Sequence, residues 1–317
     1  MESERKYMIV KVENLVKRYG SILALDHLNL EVREGEIFGL LGPNGSGKTT
    51  AINCMLSLLR HDKGTIELFG NPMTSESYDI KRNIGVISQN VAVFDELTVY
   101  ENIYYFCSLY IKDKNRIKEL VEEAIRFVSL EDYKKFYPKK LSGGLLRRLN
   151  IACGIAHKPQ LIFLDEPTVA VDPQSRNKII EGIKKLNENG ATIIYTTHYM
   201  EEVEQLCNKI VIMDKGRVIA GGTKEELKAM ISLGEKVTVT VYNLSEAQLK
   251  EIKNIPNIYY AVYEENKLTV KSKKGRNNLV HILEYLGEQN INFGEVYTEL
   301  PTLNDVFLEI TGKELRD

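Results

Sequence analysis

Gly42-Pro43-Asn44-Gly45-Ser46-Gly47-Lys48-Thr49 has the form G-x-x-x-x-G-K-T, the pattern of a loop that cradles phosphates. The apolar run from Ile37 to Leu41 predicts a buried strand before it. The run from Thr50 to Leu59 predicts a helix after it, with Ile52, Met55, Leu56 and Leu59 on one face. Glycines at 42, 45 and 47 let the backbone curl so that successive N–H groups point inward at an anion. The start of the new helix adds partial positive charge. In that setting Lys48 can reach the β- and γ-phosphates, and the Thr49 hydroxyl can ligate Mg²⁺. The expectation is a nucleoside triphosphate site built from residues 42–49 and Thr50. The loop alone leaves the phosphate-binding family open.

The chain of 317 residues exceeds what one core usually supports, so two domains are expected. Its 43% hydrophobic and 27% charged residues suit a soluble globular protein. A net charge of −2 gives no global positive field, and no nucleic-acid partner is expected. No apolar run approaches the roughly 20 residues that span a bilayer. The N-terminal Met1-Glu2-Ser3-Glu4-Arg5-Lys6 lacks the apolar core of a signal peptide. Cys54, Cys107, Cys153 and Cys207 form no C-x-x-C pair and read as reduced packing residues of a cytosolic protein.

Outward from the loop, Met8 to Val12 and Leu28 to Val32 read as strands, with Lys17 to Gly20 as a polar loop between them. Tyr19 in that loop either stacks on a purine or covers a sheet edge. Gly64 to Gly70 and Ile84 to Ser88 read as further strands, the second ending at Gln89. That amide either contacts metal or water at the nucleotide crevice or is simply solvated. Residues from about 95 to 137 turn helical, with Ile117, Leu120, Val121, Ala124, Ile125 and Val128 on one stripe. Phe94, Leu97 and Tyr104 to Phe106 divide between core and an apolar patch for a partner.

Ser142 reads as the N-cap of a helix lined by Leu145, Leu149, Ala152 and Ala156. Gly143 and Gly144 directly after a cap disfavour a helix start. They make sense where another molecule approaches the backbone, which would be a second anion site, or they mark a plain flexible start. Leu161 to Leu164 is an apolar strand that delivers Asp165 and Glu166 at its C-terminal end, where a parallel sheet keeps its crevice. Asp165 would help hold Mg²⁺, and Glu166 could polarise an attacking water. Ala191 to Thr197 is another strand, ending at His198, which either senses a γ-phosphate or caps the next helix. Tyr199 to Cys207 reads as a helix, and Lys209 to Ala220 as a hairpin turning at Lys215-Gly216.

In this order the motifs resemble the nucleotide-binding subunit of ATP-binding cassette (ABC) transporters, over roughly Tyr7 to Leu227. Residues 42–49 match the Walker A loop, Gln89 the Q-loop and Leu141 to Gly144 the family signature. Leu161 to Asp165 match Walker B with Glu166 as the catalytic carboxylate, Asp172 the D-loop, His198 the switch histidine and Tyr19 the adenine-stacking aromatic. Leu145 departs from the usual glutamine and Val171 from the usual leucine; both leave Ser142, Gly143 and Asp172 in place. The resemblance implies ATP and Mg²⁺ as ligands, the metal held by Thr49, Gln89 and Asp165. It implies catalytic roles for Glu166, His198 and Gln89. It further implies a head-to-tail dimer of two ATPase subunits, each ATP lying between one loop and the other's Ser142, Gly143 and Gly144. The pore would be a separate transmembrane permease, with this chain at the cytoplasmic face of the membrane.

The implied fold is α/β: a phosphate-loop ATPase domain over 1–231, with a mixed sheet core, an antiparallel β subdomain and a helical subdomain at about 95–157. Residues 232–317 read as β-α-β-β-α-β, a ferredoxin-like α+β domain with a capping box at Ser245 to Gln248 and no catalytic constellation. Leu303 to Lys313 and Tyr195 to Glu202 resemble the drug- and antibiotic-resistance branch, whose members power ABC-2-type exporters. Two other readings compete: a soluble ABC protein acting on ribosomes or DNA, and a regulatory module that binds ATP without turnover. The first is disfavoured by the single cassette without a coiled-coil insertion, the second by Glu166 and His198.

Overall fold

The computed structural model describes residues 7–274 and 278–312. Met1 to Lys6, and Lys313 at the end of the tail motif, lie outside the described residues. The chain forms two compact units that divide between Thr223 and Lys224.

The first unit opens with β1 (Met8–Tyr19) and β2 (Ile22–Arg33), an antiparallel hairpin in which Tyr19 pairs with Ile22. The polar-loop reading of Lys17 to Gly20 is corrected: Lys17, Arg18 and Tyr19 complete β1. Register shifts between Val12 and Lys17, with Asn14 at φ 49°, break the alternation and hide the strand's second half. β3 (Ile37–Leu41) is buried along its length. α1 (Lys48–Met55) starts earlier and stops sooner than the apolar run suggests. Ser57 adopts φ 51° and ends the helical path, although Leu56 stays buried.

β4 (Lys63–Leu68) and β5 (Asn71–Pro72) extend the first sheet, in the order β2-β1-β4-β5. The short α2 (Tyr78–Lys81) leads into β6 (Ile84–Ile87). Three helices follow: α3 (Val99–Ser108), α4 (Lys114–Phe127) and α5 (Gly143–Ile155). α3 starts at a capping box of Thr98 and Glu101, and Asp113 caps α4. The α4 stripe of Ile117, Leu120, Val121, Ala124 and Ile125 is its buried face, as the spacing predicts.

β7 (Leu161–Asp165), α6 (Pro173–Glu188), β8 (Thr192–Thr197) and α7 (Met200–Leu206) come next. β9 (Lys209–Asp214) and β10 (Arg217–Gly222) close the unit as a hairpin with Lys215 and Gly216 at positive φ. The second sheet runs β10-β9-β3-β8-β7-β6. It is parallel from β9 to β6, with β10 antiparallel at the edge. Parallel strands share one C-terminal edge, so this sheet delivers Gly42, Gln89, Asp165, Glu166 and His198 to the same side.

The second unit contains α8 (Lys224–Met230), β11 (Leu233–Val241), α9 (Glu246–Asn254), β12 (Ile258–Glu264) and β13 (Lys267–Lys273). α10 (Asn278–Glu288), β14 (Phe293–Glu299) and α11 (Leu303–Thr311) complete it. Its sheet is antiparallel in the order β12-β13-β11-β14, the split β-α-β arrangement of a ferredoxin-like fold. Val237, Val239 and Val241 of β11 pack with Ile252, Leu268, Val270, Ile282 and Leu286 in its core. α8 packs on α11 within this unit, which is why contacts divide the chain ahead of residue 231.

Candidate active site

The loop between β3 and α1 is shaped by its glycines, Gly47 most tightly. Gly47 lies at φ 105°, and a Cβ there would meet the Ala24 carbonyl oxygen at 2.7 Å. The loop is braced from β10's hairpin, where the Gly216 amide donates to Ser46 O at 2.9 Å. Lys48 begins α1 and is buried; its ammonium donates to the carbonyls of Gly42 (2.8 Å) and Pro43 (3.1 Å). The buried Ser46 hydroxyl has no partner among the described residues, a polar atom left over beside the loop. An open cleft of about 400 Å³ is bounded by Asn44, Gly45, Gly47 to Thr50, Gln89 and Glu166.

Glu166 is where the site converges. Lys48 Nζ lies 3.2 Å from its Oε1, and Gln89 Nε2 donates to its Oε2 at 3.1 Å. His198 Nδ1 stands 3.5 Å from Oε1. The residue is buried and sits at φ 47°, a left-handed conformation costing about 1–2 kcal/mol for a non-glycine residue. That turn separates the Glu166 side chain from its neighbour Asp165. Asp165, also buried, accepts from Thr196 Oγ1 at 2.6 Å. The same Thr196 hydroxyl accepts from the Glu166 amide at 3.0 Å. One threonine thus fixes both acids.

The other candidates fall into two places. Tyr19, half exposed, stands at the end of β1 with Lys17 Nζ 5.4 Å from its ring centre. It is not a lining residue of the cleft, but its strand partner Ile22 is. Ser142, Gly143, Gly144 and Asp172 are brought together elsewhere, at the facing starts of α5 and α6. Ser142 Oγ accepts from the Leu145 amide at 3.4 Å. Asp172 caps α6 by accepting from the Ser175 amide at 2.9 Å, which holds its carboxyl below the ordinary carboxylate range. A Cβ on Gly144 would lie 2.3 Å from Ser175 Oγ and 3.1 Å from Asp172 Oδ2. Gly144 therefore answers to a close approach inside this chain, whereas a Cβ on Gly143 would meet nothing nearer than Ala170 O at 3.9 Å. The four are not part of the cleft around Lys48.

Four contributors escaped the sequence reading. Thr196 is set beside Asp165 by the β7–β8 register, and only that register identifies it. Leu23 and Ala24 supply an apolar wall, and Lys215 a cation at the rim. A lysine in the hairpin turn Lys215-Gly216 gave no signal, because the packing of that turn on the loop is long-range.

Chemically, the arrangement offers a nest of amides and an ammonium for phosphates, and a carboxylate that accepts from Gln89 and faces Lys48 and His198 for a water. Hard oxygen donors at Thr49, Gln89 and Asp165 suit magnesium, and no cluster of three or more His, Cys, Asp or Glu among the described residues forms a protein-only metal cage.

Comparison with known proteins gives matches over both units. A family model described as "ABC transporter" matches residues 25–169, and one described as "ATP-binding protein DrrA1-3-like, C-terminal domain" matches residues 222–311. The linearmycin resistance ATP-binding protein LnrL of Bacillus subtilis is 37% identical over 98% of this chain and 100% of its own. The daunorubicin resistance ATP-binding protein DrrA3 of Streptomyces coeruleorubidus is 34% identical over 97% of each chain. The Nod factor export ATP-binding protein I of Cupriavidus metallidurans is 34% identical over 98% of this chain and 99% of its own. Among solved structures, a dimeric ATP-binding cassette in a post-hydrolysis state bound to ADP and Pi aligns with a TM-score of 0.63 at 28% identity. It covers 68% of this chain and 98% of that one. No helix among the described residues is long and apolar enough to cross a membrane.

Proposed function

The chain belongs to the ATP-binding proteins of ABC transporters, and on that premise we propose how its residues divide the work of ATP hydrolysis. It is an ATPase of the drug-resistance and export group, acting with a separate permease. Glu166 polarises the water that attacks the γ-phosphate. Lys48 and the amides of residues 42–49 hold the β- and γ-phosphates, Gln89 and His198 hold Glu166 and meet the γ-phosphate, and Tyr19 stacks on the adenine. The single observation that carries this reading is the convergence of Lys48, Gln89 and His198 on the Glu166 carboxylate within 3.1–3.5 Å.

Mg²⁺ would be held by Thr49, Gln89 and Asp165 with phosphate oxygens completing its shell. When bound, it supplies positive charge against the β- and γ-phosphates. The group Ser142, Gly143, Gly144 and Asp172 lies apart from the cleft, which suits a head-to-tail dimer of two identical chains, each group closing on the partner's ATP. The dimeric relative with ADP and Pi supports that arrangement. The first compact unit does the ATPase work, with a helical subdomain at about 95–157 that passes motion to the permease, and the second unit is accessory. The cargo is a drug, antibiotic, lipid-like or other small molecule moved outward, with the chain at the cytoplasmic face. The names of the linearmycin, daunorubicin and Nod factor relatives support this.

The test is turnover and oligomeric state of wild type against Glu166→Gln with Mg-ATP. The variant is expected to lose at least about 100-fold in kcat and to accumulate an ATP-dependent dimer. Full turnover by Glu166→Gln would remove the proposed base.

A further inference from the structure

Arg147 lies on α5, the helix that Ser142 caps, one turn in from the cap. Its guanidinium is buried, yet no carboxylate among the described residues pairs with it, and desolvation alone holds its pKa below the ordinary value. Both ends of its fork are committed to backbone: one terminal nitrogen donates to Ser88 O at 3.0 Å, the other to Gln89 O at 2.7 Å. Asn150, three residues on and on the same helix face, adds to the grip. Its Oδ1 accepts from the Ala92 amide at 3.1 Å, and its Nδ2 reaches Ser88 O at 3.4 Å. The side chain of the gripped residue is the one that donates to Glu166.

A buried, unpaired guanidinium is a costly way to satisfy two carbonyls at the end of a strand. A neutral donor or a water would do that much. What a planar, rigid fork adds is orientation, because two parallel donors fix a peptide where one donor lets it rotate.

We propose that Arg147 is a positioning residue for hydrolysis: its fork fixes the Gln89 backbone so that the Gln89 amide stays on Glu166. α5 then becomes the rigid link by which whatever binds at Ser142, Gly143 and Gly144 acts on the Glu166 carboxylate. The inference rests on the reading of Glu166 and Gln89 given above. Arg147 touches neither nucleotide nor water in this scheme, so its removal changes the rate of the chemical step and leaves ATP binding alone. Misplacement of a catalytic group by about 1 Å costs up to about 100-fold in rate.

The experiment is single-turnover hydrolysis by the full chain, with kcat, KM and ATP affinity measured separately. The series is wild type, Arg147→Met, Arg147→Lys, Gln89→Ala, the Arg147→Met/Gln89→Ala double variant and Glu166→Gln. Arg147→Met is expected to lose about 10- to 100-fold in kcat with KM and ATP affinity within about 2-fold of wild type. Arg147→Lys, with the charge and a single donor, is expected to fall between. The double variant is expected to be no slower than the worse single, because both act through one contact. Amide exchange across residues 88–92 is expected to rise in Arg147→Met while the global stability of the fold is retained.

Wild-type kcat in Arg147→Met beside a dead Glu166→Gln overturns this proposal alone. Full turnover by Glu166→Gln overturns the reading of the site, and the proposal with it. Additive losses in the double variant overturn the link through Gln89. If Arg147→Met does not fold, Arg147→Lys decides: lower kcat at unchanged KM supports the link, and raised KM at unchanged kcat overturns it.

Discussion

The Thr196 hydroxyl donates to the Asp165 carboxylate over 2.6 Å, and both residues are buried at the C-terminal ends of neighbouring parallel strands. The same oxygen accepts from the Glu166 amide, so one side chain holds a candidate metal ligand and the peptide of the candidate base. Thr196→Val keeps the shape and removes the donor. It leaves an ionised Asp165 short of a charge-assisted hydrogen bond in a dry setting, where such a bond contributes about 1.5–3 kcal/mol. The expected result is a loss of about 2 kcal/mol in urea unfolding. Because Asp165 and Glu166 are both re-aimed, kcat falls by at least about 10-fold. A variant with wild-type stability and rate would mean that neither acid depends on Thr196.

His157 carries a pH dependence that has nothing to do with the cleft. Its ring stacks on Tyr110 with centres 3.8 Å apart, Nε2 meets Ile84 O at 3.1 Å, and burial pushes its pKa down to about 4. A carbonyl partner requires Nε2 to carry the proton in the neutral ring. The folded pKa lies below the unfolded value of about 6.5, so the unfolded chain takes up the proton first. Stability is therefore full above about pH 6.5 and declines as pH falls toward 4, by about 2 kcal/mol at pH 5. His157→Gln, which keeps a donor for Ile84 O, is expected to flatten that part of the stability–pH curve. Urea midpoints at pH 7 and pH 5 for both proteins check it.

Glu202 ties three elements together. Its Oε2 accepts from Tyr195 Oη at 2.7 Å and from Thr197 Oγ1 at 2.8 Å, and its Oε1 faces Arg176 Nε of α6 at 3.7 Å. Tyr195 is fully buried, and burial first, then the Glu202 charge, hold its phenol well above its ordinary pKa. Glu202→Ala would leave two buried hydroxyls without that acceptor and Arg176 without its carboxylate. The expected loss is about 2–4 kcal/mol, chiefly from the two buried hydroxyls that lose their acceptor, each at about 1–3 kcal/mol. Glu202→Gln, which retains an amide oxygen, should recover part of it. Thermal unfolding of the two variants side by side separates the charge from the acceptor.

What the sequence made legible follows from range. β3, β7 and the Ile193 to Tyr195 centre of β8 are apolar because parallel strands are buried on both faces, and the strand ends announce Gly42, Asp165, Glu166 and His198. Capping at Ser142 and Ser245 is local chemistry, so it could be read locally. The second half of β1 could not, since bulges near Asn14 reset its period. α6 was missed although Asp172 and Pro173 mark its start; its apolar positions are few and its surface is charged. Thr196 and Arg147 depend on strand register and on a helix lying across a loop, and neither leaves a trace within a few residues of itself.

Gly143 and Gly144 look equivalent in the sequence and are not. A Cβ on Gly144 would strike Ser175, whose own Cβ would lie 2.7 Å away and cannot rotate clear. Gly144→Ala is therefore expected to force α5 from α6 and to cost about 1–3 kcal/mol, as overpacking does. A Cβ on Gly143 meets nothing nearer than Ala170 O at 3.9 Å, and alanine is the better helix former, so Gly143→Ala should fold with unchanged or slightly higher stability. If the open side of Gly143 is where the partner's ATP docks, the added methyl group stands in its way. Gly143→Ala should then keep its Tm and its affinity for ATP as a monomer while losing ATP-dependent dimerisation and turnover. Sedimentation with Mg-ATP in the Glu166→Gln background, where the dimer is expected to persist, reads this directly. A Gly143→Ala chain that dimerises as well as its parent would show that the start of α5 is not a surface on which a second copy closes.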